Sequence, residues 1–175
     1  DEDFVTRLFI ANTHTPILFF TSSGIVHQLK CYKLPETSPT SMGKAMINLL
    51  PISNEENIQA IMPMPNETDK WDSLSVVFAT SSGSVRRNRL SDFTNIRANG
   101  KIAMKLGETD RLVGVVPCND DSDIMLASNQ GKAIRFATKD LRVFNSRDSM
   151  GVRGIKLKND DYVVSLSVLA DDERE

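Results

Sequence analysis

The alternation of apolar and polar residues is clearest in one short phrase that the chain contains three times. The copies begin at Gly43, Gly100 and Gly151 and read GKAMINL, GKIAMKL and GVRGIKL. Counted from the glycine, the fourth following residue is apolar, the fifth is polar and the sixth is leucine in every copy. This period of two predicts a β-strand with one buried face. The glycines lie 57 and 51 residues apart, a spacing typical of propeller-like or solenoid repeats.

A second signal lies upstream of each phrase. The segments FTSSG, ATSSG and ASNQG each follow an apolar run and end at Gly24, Gly83 and Gly131. Small polar residues and a glycine between two extended runs predict a tight hairpin in which the glycine adopts a positive φ. Downstream of each phrase, an acidic turn precedes another β-branched run. Each repeat is therefore expected to contain four short strands.

These signals predict an all-β, propeller-like array of four-stranded blades. A single repeat domain over 1–175 is expected to hold about three complete blades, at 17–64, 74–117 and 123–169. The apolar segment 4–10 follows an acidic turn and is expected to form an orphan strand. Residues 170–175 are expected to form a polar, frayed tail.

Composition excludes several classes of protein. The chain is 40% hydrophobic and 25% charged, which is ordinary for a soluble domain, and no apolar run approaches the roughly 18 residues that span a membrane. Its acidic start argues against a secretory signal. Cys31 and Cys118 lack a C-x-x-C partner, which favours a reducing cytoplasm, although they would be able to pair if adjacent.

The distribution of charge says more than the net charge of −2. Positive blocks cover 24–44, 83–105 and 131–156, with net charges of +2, +5 and +5. Each spans the same part of its repeat, from the hairpin glycine to the phrase, and the segments between them are negative. Because equivalent segments of stacked repeats lie on equivalent surfaces, positive charge is expected along one edge of the array.

The second repeat carries the densest cluster of arginines. Alternation along the strand places Arg87 and Arg89 on one face and Arg86 on the other. We expect at least one face of this strand to meet solvent or a polyanion. The alternative is a solvated edge whose cations deter strand aggregation.

No catalytic or cofactor motif is present in the sequence. There is no G-x-S-x-G, phosphate loop or H-E-x-x-H, and neither a catalytic residue nor a cofactor is predicted. Asp120, Asp121 and Asp123 lack the glycine and distal glutamate of a calcium loop and are interpreted as an acidic turn. His14 is expected to be solvated in a turn, and His27 is expected to pack on a strand face.

Several segments, in this order, resemble the C-terminal domain of bacterial DNA gyrase A. The resemblance covers nearly the whole chain and is carried by ANTH at 11–14, ILFFTSSG at 17–24, KLPE at 33–36, NLLP at 48–51, FAT at 78–80, GK at 100–101 and GVRG at 151–154. The family's Gln-Arg-Arg-Gly-Gly box is missing, and so are blades beyond residue 169, so a fragment is expected. The missing box leaves the related domain of topoisomerase IV open as an alternative.

The resemblance implies a β-pinwheel, a ring of blades that wraps double-stranded DNA around a basic rim. It also implies that the rest of DNA gyrase A, together with DNA gyrase B, are partners in a parent enzyme. That enzyme hydrolyses ATP and introduces negative supercoils, and its catalytic tyrosine has no counterpart in this sequence.

Together the resemblance and the charge pattern predict phosphate contacts that are independent of base sequence. The alternative function is a propeller-like scaffold that docks an acidic protein partner on its basic edge. The residues predicted to contact DNA are Arg87, Arg89, Arg135, Lys139 and Arg142, followed by Lys30, Lys33, Arg86, Arg97, Lys101, Lys105, Lys132, Arg147, Arg153 and Lys156.

Overall fold

A computed structural model describes residue 5 and residues 7–170. Within these residues the regular structure is β-strand with short 3₁₀ turns, which confirms the predicted all-β fold. The turns are Cys31–Lys33, Met46–Asn48, Thr68–Lys70, Leu90–Phe93 and Thr138–Asp140. The strands are β1 (Pro16–Thr21), β2 (Ile25–Lys30), β3 (Ile58–Pro63), β4 (Ser75–Thr80), β5 (Ser84–Arg89), β6 (Lys101–Ile102), β7 (Leu112–Cys118), β8 (Asp123–Ser128), β9 (Ala133–Ala137), β10 (Val143–Phe144), β11 (Val152–Arg153) and β12 (Val163–Leu169).

The strands form three sheets built on the same plan. Two strands joined by a tight turn pair antiparallel, and the last strand of the repeat pairs with the first: β3-β1-β2, β7-β4-β5 and β12-β8-β9. The turn glycines Gly24, Gly83 and Gly131 have φ of 82°, 88° and 81°. This left-handed backbone is accessible to glycine without strain, so each hairpin forms where the sequence predicts it.

The phrase strand of each later repeat lies on the sheet of the repeat before it. β6 from the second repeat pairs with β2, while β10 and β11 from the third repeat pair with β5. The first two sheets therefore each include strands from the following sequence repeat. Because each strand completes a neighbour's sheet, adjacent repeats are joined by backbone hydrogen bonds.

The two recurring signals of the sequence meet at this exchange. The carbonyl of Gly24 accepts hydrogen bonds from the amides of Ala103 and Met104, at 2.8 and 3.2 Å. The carbonyl of Gly83 likewise accepts from the amides of Gly154 and Ile155, at 2.8 and 3.3 Å. The hairpin glycine of one repeat thus holds the phrase of the next.

The alternating residues of the phrase do not form the predicted strand in any copy. In the second and third copies the strands β6 and β11 are the two residues after the glycine, and residues 103–106 and 154–157 carry no strand assignment. The first copy departs further. Its residues Met46–Asn48 form a 3₁₀ turn, and Ile47 is 41% exposed, whereas the corresponding Met104 and Ile155 are 1% and 2% exposed. Met104 and Ile155 are buried because each packs against the preceding repeat. No preceding sheet flanks the first copy among the described residues, so residues 44–45, equivalent to β6 and β11, form no strand and Ile47 remains exposed.

An acidic side chain closes the hairpin of each repeat. Asp110 accepts hydrogen bonds from the hydroxyls of Ser81 and Ser82, both at 2.7 Å, and from the amide of Ser82 at 2.9 Å. Glu56 bonds to the hydroxyl of Ser23 in the first repeat, and Asp161 bonds to that of Ser128 in the third, at 2.7 Å. The acidic turn and the serine-rich hairpin therefore recur together because they bind each other.

The largest core cluster lies between the first and second sheets. Phe20, Phe78 and Phe93 pack there with ring centroids 5.6–6.0 Å apart, separations that favour aromatic attraction. A second cluster around Val77, Val85 and Leu126 joins the second and third sheets. Hydrophobic burial therefore continues across both junctions.

The expected strand at 4–10 is not found where the segment is described. Residue 5 and residues 7–10 carry no strand assignment, and Leu8 and Ile10 are 91% and 99% exposed. Residues 4 and 6 lie outside the described residues. The same is true of 171–175, which include most of the expected tail.

Candidate nucleic-acid interface

The basic residues of the strands lie at the side of each sheet opposite β3, β7 and β12, which is called the outer side. The strands β3, β7 and β12, at one side of the sheets, contain no charged residue. Lys30 and Arg89 end β2 and β5, Arg135 lies on β9, and Lys101 and Arg153 belong to the strands added by the next repeat. The positive blocks of the sequence therefore occupy equivalent positions, at the side opposite the uncharged strands.

Most of the predicted contact residues are accessible to a ligand. Lys101 and Arg147 are half-buried. The exposed residues are Lys30, Lys33, Arg89, Arg97, Lys105, Lys132, Arg135, Lys139, Arg142, Arg153 and Lys156.

Arg86 and Arg87 correct the expectation that one face of this strand meets solvent or a polyanion. They are 0% and 5% exposed, because β10 and β11 cover the outer edge of β5. Their guanidinium groups are directed to backbone carbonyls of the chain itself. Arg86 is closed off from a phosphate. Arg87, which the sequence predicts as a leading contact, lies in the wall of a cleft with its guanidinium held by the protein itself.

The partners of Arg87 belong to the third repeat and the turn before it. Its Nη1 donates to the carbonyls of Thr138 and Leu141 at 3.1 and 3.4 Å, and its Nη2 pairs with the carboxylate of Asp120. Asp120 itself remains largely exposed. Arg87 therefore secures the start of the 138–142 segment.

That segment brings three of the leading cations around one shallow cleft. Arg89 from the second repeat and Lys139 and Arg142 from the third line a cleft of about 350 Å³. Arg142 also stacks over the ring of Phe144, with its guanidinium carbon 4.3 Å from the ring centroid, which holds the cation at the surface. The junction of the second and third repeats thus presents three accessible positive charges together, beside the carboxylates of Asp72 and Asp120 that line the same cleft.

Arg135 lies beside a neighbouring cleft, with a carboxylate partner. Its Nε donates to Asp123 at 2.7 Å, and the cleft is lined by Lys139, Asp120 and Asp121 as well. Part of the charge of Arg135 is therefore balanced within the protein. Asp120 and Asp123 act as arginine partners, and no group of three or more metal-ligating side chains occurs among the described residues.

Positive charge is concentrated around Lys101, at the junction of the first and second repeats. Burial lowers its pKa, and the nearby cations Arg147 and Arg97 lower it further, against the opposing effect of Asp92. Lys101 and Arg97 line another cleft, together with Asn95 and Asn99.

The prediction from sequence missed some participating residues. Lys44 is exposed and follows the glycine of the first phrase; its membership in the first positive block was the available signal.

Asn88 holds the third repeat through hydrogen bonds of its side-chain amide. Nothing local in the sequence marks Asn88, because its partners are 56 and 58 residues away.

Both histidines lie near this side of the first sheet. His27 is 3% exposed, and burial lowers its pKa despite the opposing charge of Glu56. His14 is exposed and contacts Tyr32 edge-to-face, with ring centroids 5.8 Å apart. Both environments agree with the expectations from sequence.

A protein-family comparison matches most of the chain. The family described as "DNA gyrase C-terminal domain, beta-propeller" matches residues 15–63, 75–119 and 122–170. DNA gyrase A of Rickettsia bellii is 50% identical over 97% of this chain, and that of Escherichia coli K12 is 40% identical over 96%. The chain spans about a fifth, 19%, of the length of each of these relatives.

Solved structures give the same fold. A structure of the DNA gyrase A C-terminal domain superposes with a TM-score of 0.70 at 25% identity, covering 90% of this chain and 49% of that one. The C-terminal domain of DNA topoisomerase IV superposes with a TM-score of 0.82 at 23% identity, covering 92% of this chain and 49% of that one. Among the described residues, no helix has the length and apolarity that crossing a membrane requires.

Proposed function

Because this chain belongs to the family of DNA gyrase C-terminal domains, we propose that it binds double-stranded DNA along its basic edge and bends it. The observation that carries the proposal is the repeated placement of exposed cations at the outer side of all three sheets. Phosphates recur regularly along a duplex, so a periodic row of cations meets them whatever the base sequence.

The contacts are electrostatic and independent of base sequence. Arg89, Lys139 and Arg142 provide one group of exposed cations around a single cleft, at the junction of the second and third repeats. The described structure carries no α-helix to enter the major groove, where base pairs are best distinguished. The edge therefore positions the duplex through its backbone.

Bending follows from contacts along successive repeats. Smooth bending of a site of 20–30 base pairs by 40–90° costs of the order of 1–6 kcal/mol. Cations on successive sheets offset this cost when the duplex follows the edge from one repeat to the next. In the longer protein, we propose that this bent DNA is presented to the remainder of DNA gyrase A and to DNA gyrase B. It thereby directs ATP-dependent negative supercoiling.

A titration of this chain with an end-labelled duplex at several salt concentrations tests the proposal. Replacement of Arg89, Lys139 and Arg142 together by alanine should weaken binding. It should also flatten the dependence of log affinity on log salt by up to about 3 units, since each neutralised phosphate contributes roughly 0.9. The loss should be the same for duplexes of unrelated sequence.

The matched control removes the same charge elsewhere. Lys70, Arg111 and Lys158 are exposed cations in the negative segments, and their joint replacement by alanine should leave the slope nearly unchanged. Equal losses from both triple variants would show that net charge, not the edge, determines binding. If the chain did not bind DNA but bound a protein partner in a salt-insensitive manner, the result would support the scaffold function instead.

A further inference from the structure

Arg86 is the largest fully buried side chain of the chain's described part. Burial lowers its pKa to about 10, with a further contribution from Arg147, so the guanidinium stays charged at neutral pH. A buried charge is tolerated only where hydrogen bonds replace its hydration. The partners of Arg86 therefore indicate what the side chain holds in place.

The backbone partners of Arg86 come from two segments outside its own strand. Nη1 donates to the carbonyl of Ser149 at 2.8 Å and also to that of Arg147, both in the third repeat. Nη2 donates to the carbonyl of Ala103, in the phrase that is bound to Gly24 of the first sheet. One guanidinium on the second sheet is thus bonded to a segment on the first sheet and to a loop of the third repeat.

Asn88 extends this connection along the same strand. It accepts a hydrogen bond from Nε of Arg86 at 2.8 Å. Its amide donates to the carbonyl of Phe144 at 3.0 Å and to Asp92 at 3.1 Å. Arg86 and Asn88 therefore fix both ends of the loop 144–149 against β5.

This loop carries and flanks cations of the basic edge. Arg147 lies within it and donates to the carbonyl of Ile102 at 3.3 Å, while Arg142 stacks on Phe144 at its start. The orientation of these two cations relative to the second sheet therefore depends on buried side chains that do not reach the surface.

The first junction, as far as the structure describes it, lacks the same connection. The residues at the same distance from the hairpin glycine are His27 in place of Arg86 and Leu29 in place of Asn88. Within the described residues, the Nδ1 of His27 has no hydrogen-bond partner, and leucine has no polar group to offer. The connection thus belongs to the junction of the second and third repeats.

We propose that Arg86 and Asn88 are positioning residues that set the angle between the basic surfaces of the second and third repeats, and thereby the bend imposed on DNA. This inference rests on the proposed DNA-bending function. Neither residue contacts the duplex. Their effect is exerted through the loop 144–149 and the cations that it orients.

The experiment compares bend and affinity in Arg86→Met and Asn88→Ala. A duplex of about 30 base pairs, carrying a fluorescent donor and acceptor at its ends, reports the bend at saturating protein. Both variants should show lower energy transfer than the unaltered chain, with a salt slope changed by less than about 0.9. Amide hydrogen exchange at 143–149 should accelerate in both. Asn88→Ala retains the test if Arg86→Met fails to fold.

The control is Gln28→Leu at the first junction, a position where the side-chain oxygen is unpartnered within the described part of the chain. It should leave energy transfer and exchange at 143–149 unchanged. A salt slope reduced by about 0.9 in Arg86→Met, with an unchanged bend, would mean that Arg86 contacts a phosphate and would overturn the inference. An unchanged bend in folded Asn88→Ala would overturn it as well. Absence of duplex binding by the unaltered chain would refute the proposed function, while the exchange data would still test the loop attachment.

Discussion

Replacement of Arg87 by alanine should destabilise the fold without reducing the electrostatic component of DNA binding. The side chain is 5% exposed, and its removal takes the arginine donor from the carbonyls of Thr138 and Leu141. The Thr138 carbonyl still accepts from the amide of Leu141 at 3.0 Å. A buried group that loses its partner costs about 1–3 kcal/mol. The bond to the Leu141 carbonyl is long, at 3.4 Å, so its loss should cost a free energy toward the lower end of this range.

The pair with Asp120 adds little to this cost. The Asp120 side chain is 73% exposed, so water screens the pair and its contribution is at most about 1 kcal/mol. The free energy of unfolding should therefore fall by about 1–4 kcal/mol in total. For a chain of this size each kcal/mol lowers Tm by roughly 2–4 °C, so a Tm decrease of about 2–16 °C is expected.

The assay pairs Arg87→Ala with Arg89→Ala in urea denaturation and in salt-dependent duplex titration. Arg89 lies on the same strand but is exposed, and its replacement should change the unfolding free energy by less than about 0.5 kcal/mol. It should instead flatten the salt slope by about 0.9. Equal stabilities of the two variants, or a flattened slope in a fully stable Arg87→Ala, would refute the assignment of Arg87 to the interior.

Two further predictions concern the hairpins. Burial alone would raise the pKa of Asp110, but hydrogen bonds from Ser82, Thr80 and Ser81 make the net shift downward. Its carboxylate therefore contributes stability above about pH 4 that is lost as pH falls through the folded pKa. Asp110→Asn should flatten the acid-side loss of unfolding free energy measured by urea titration, unlike exposed Asp121→Asn, and parallel pH profiles would contradict this. In thermal denaturation, Gly83→Ala should lower the free energy of unfolding by about 1–3 kcal/mol more than Gly131→Ala does. A Cβ added at Gly83 would lie 2.9 Å from the carbonyl oxygen of Ile155, whereas a Cβ added at Gly131 would have no neighbouring atom within 4 Å. Equal losses would show that left-handed strain alone determines the cost.

The pairing of the two strands in each hairpin was predictable from the sequence because neighbouring residues determine it. Gly24, Gly83 and Gly131 each separate two apolar runs, and a short turn fixes the pairing of the strands that flank it. The charge pattern was predictable for a related reason: equivalent segments of a repeat occupy equivalent positions, so blocks of Lys and Arg in sequence become one side of the sheets. The candidate interface as a whole, though not each residue, could therefore be derived from the sequence alone.

The exchange of phrase strands was decided by the tertiary structure. Alternation specifies that a segment such as 100–106 has a buried face, but it carries no information about which sheet buries that face. The three copies of the phrase share one pattern, yet the two residues after the glycine are strands only in the second and third copies, Lys101–Ile102 and Val152–Arg153, whereas the first copy contains only the turn Met46–Asn48. The difference arises because a preceding sheet is present beside only the second and third copies within the described chain.

Burial of the arginines was likewise decided by distant partners. Arg86, Arg87 and Arg89 lie within four positions on one strand, and their sequence context suggests three surface cations. The carbonyl acceptors of Arg86 are 17 to 63 residues away, and only the assembled junction brings them within reach. A charged side chain enters the interior where the fold supplies enough carbonyls to replace water, and for this chain that supply comes from the neighbouring repeats.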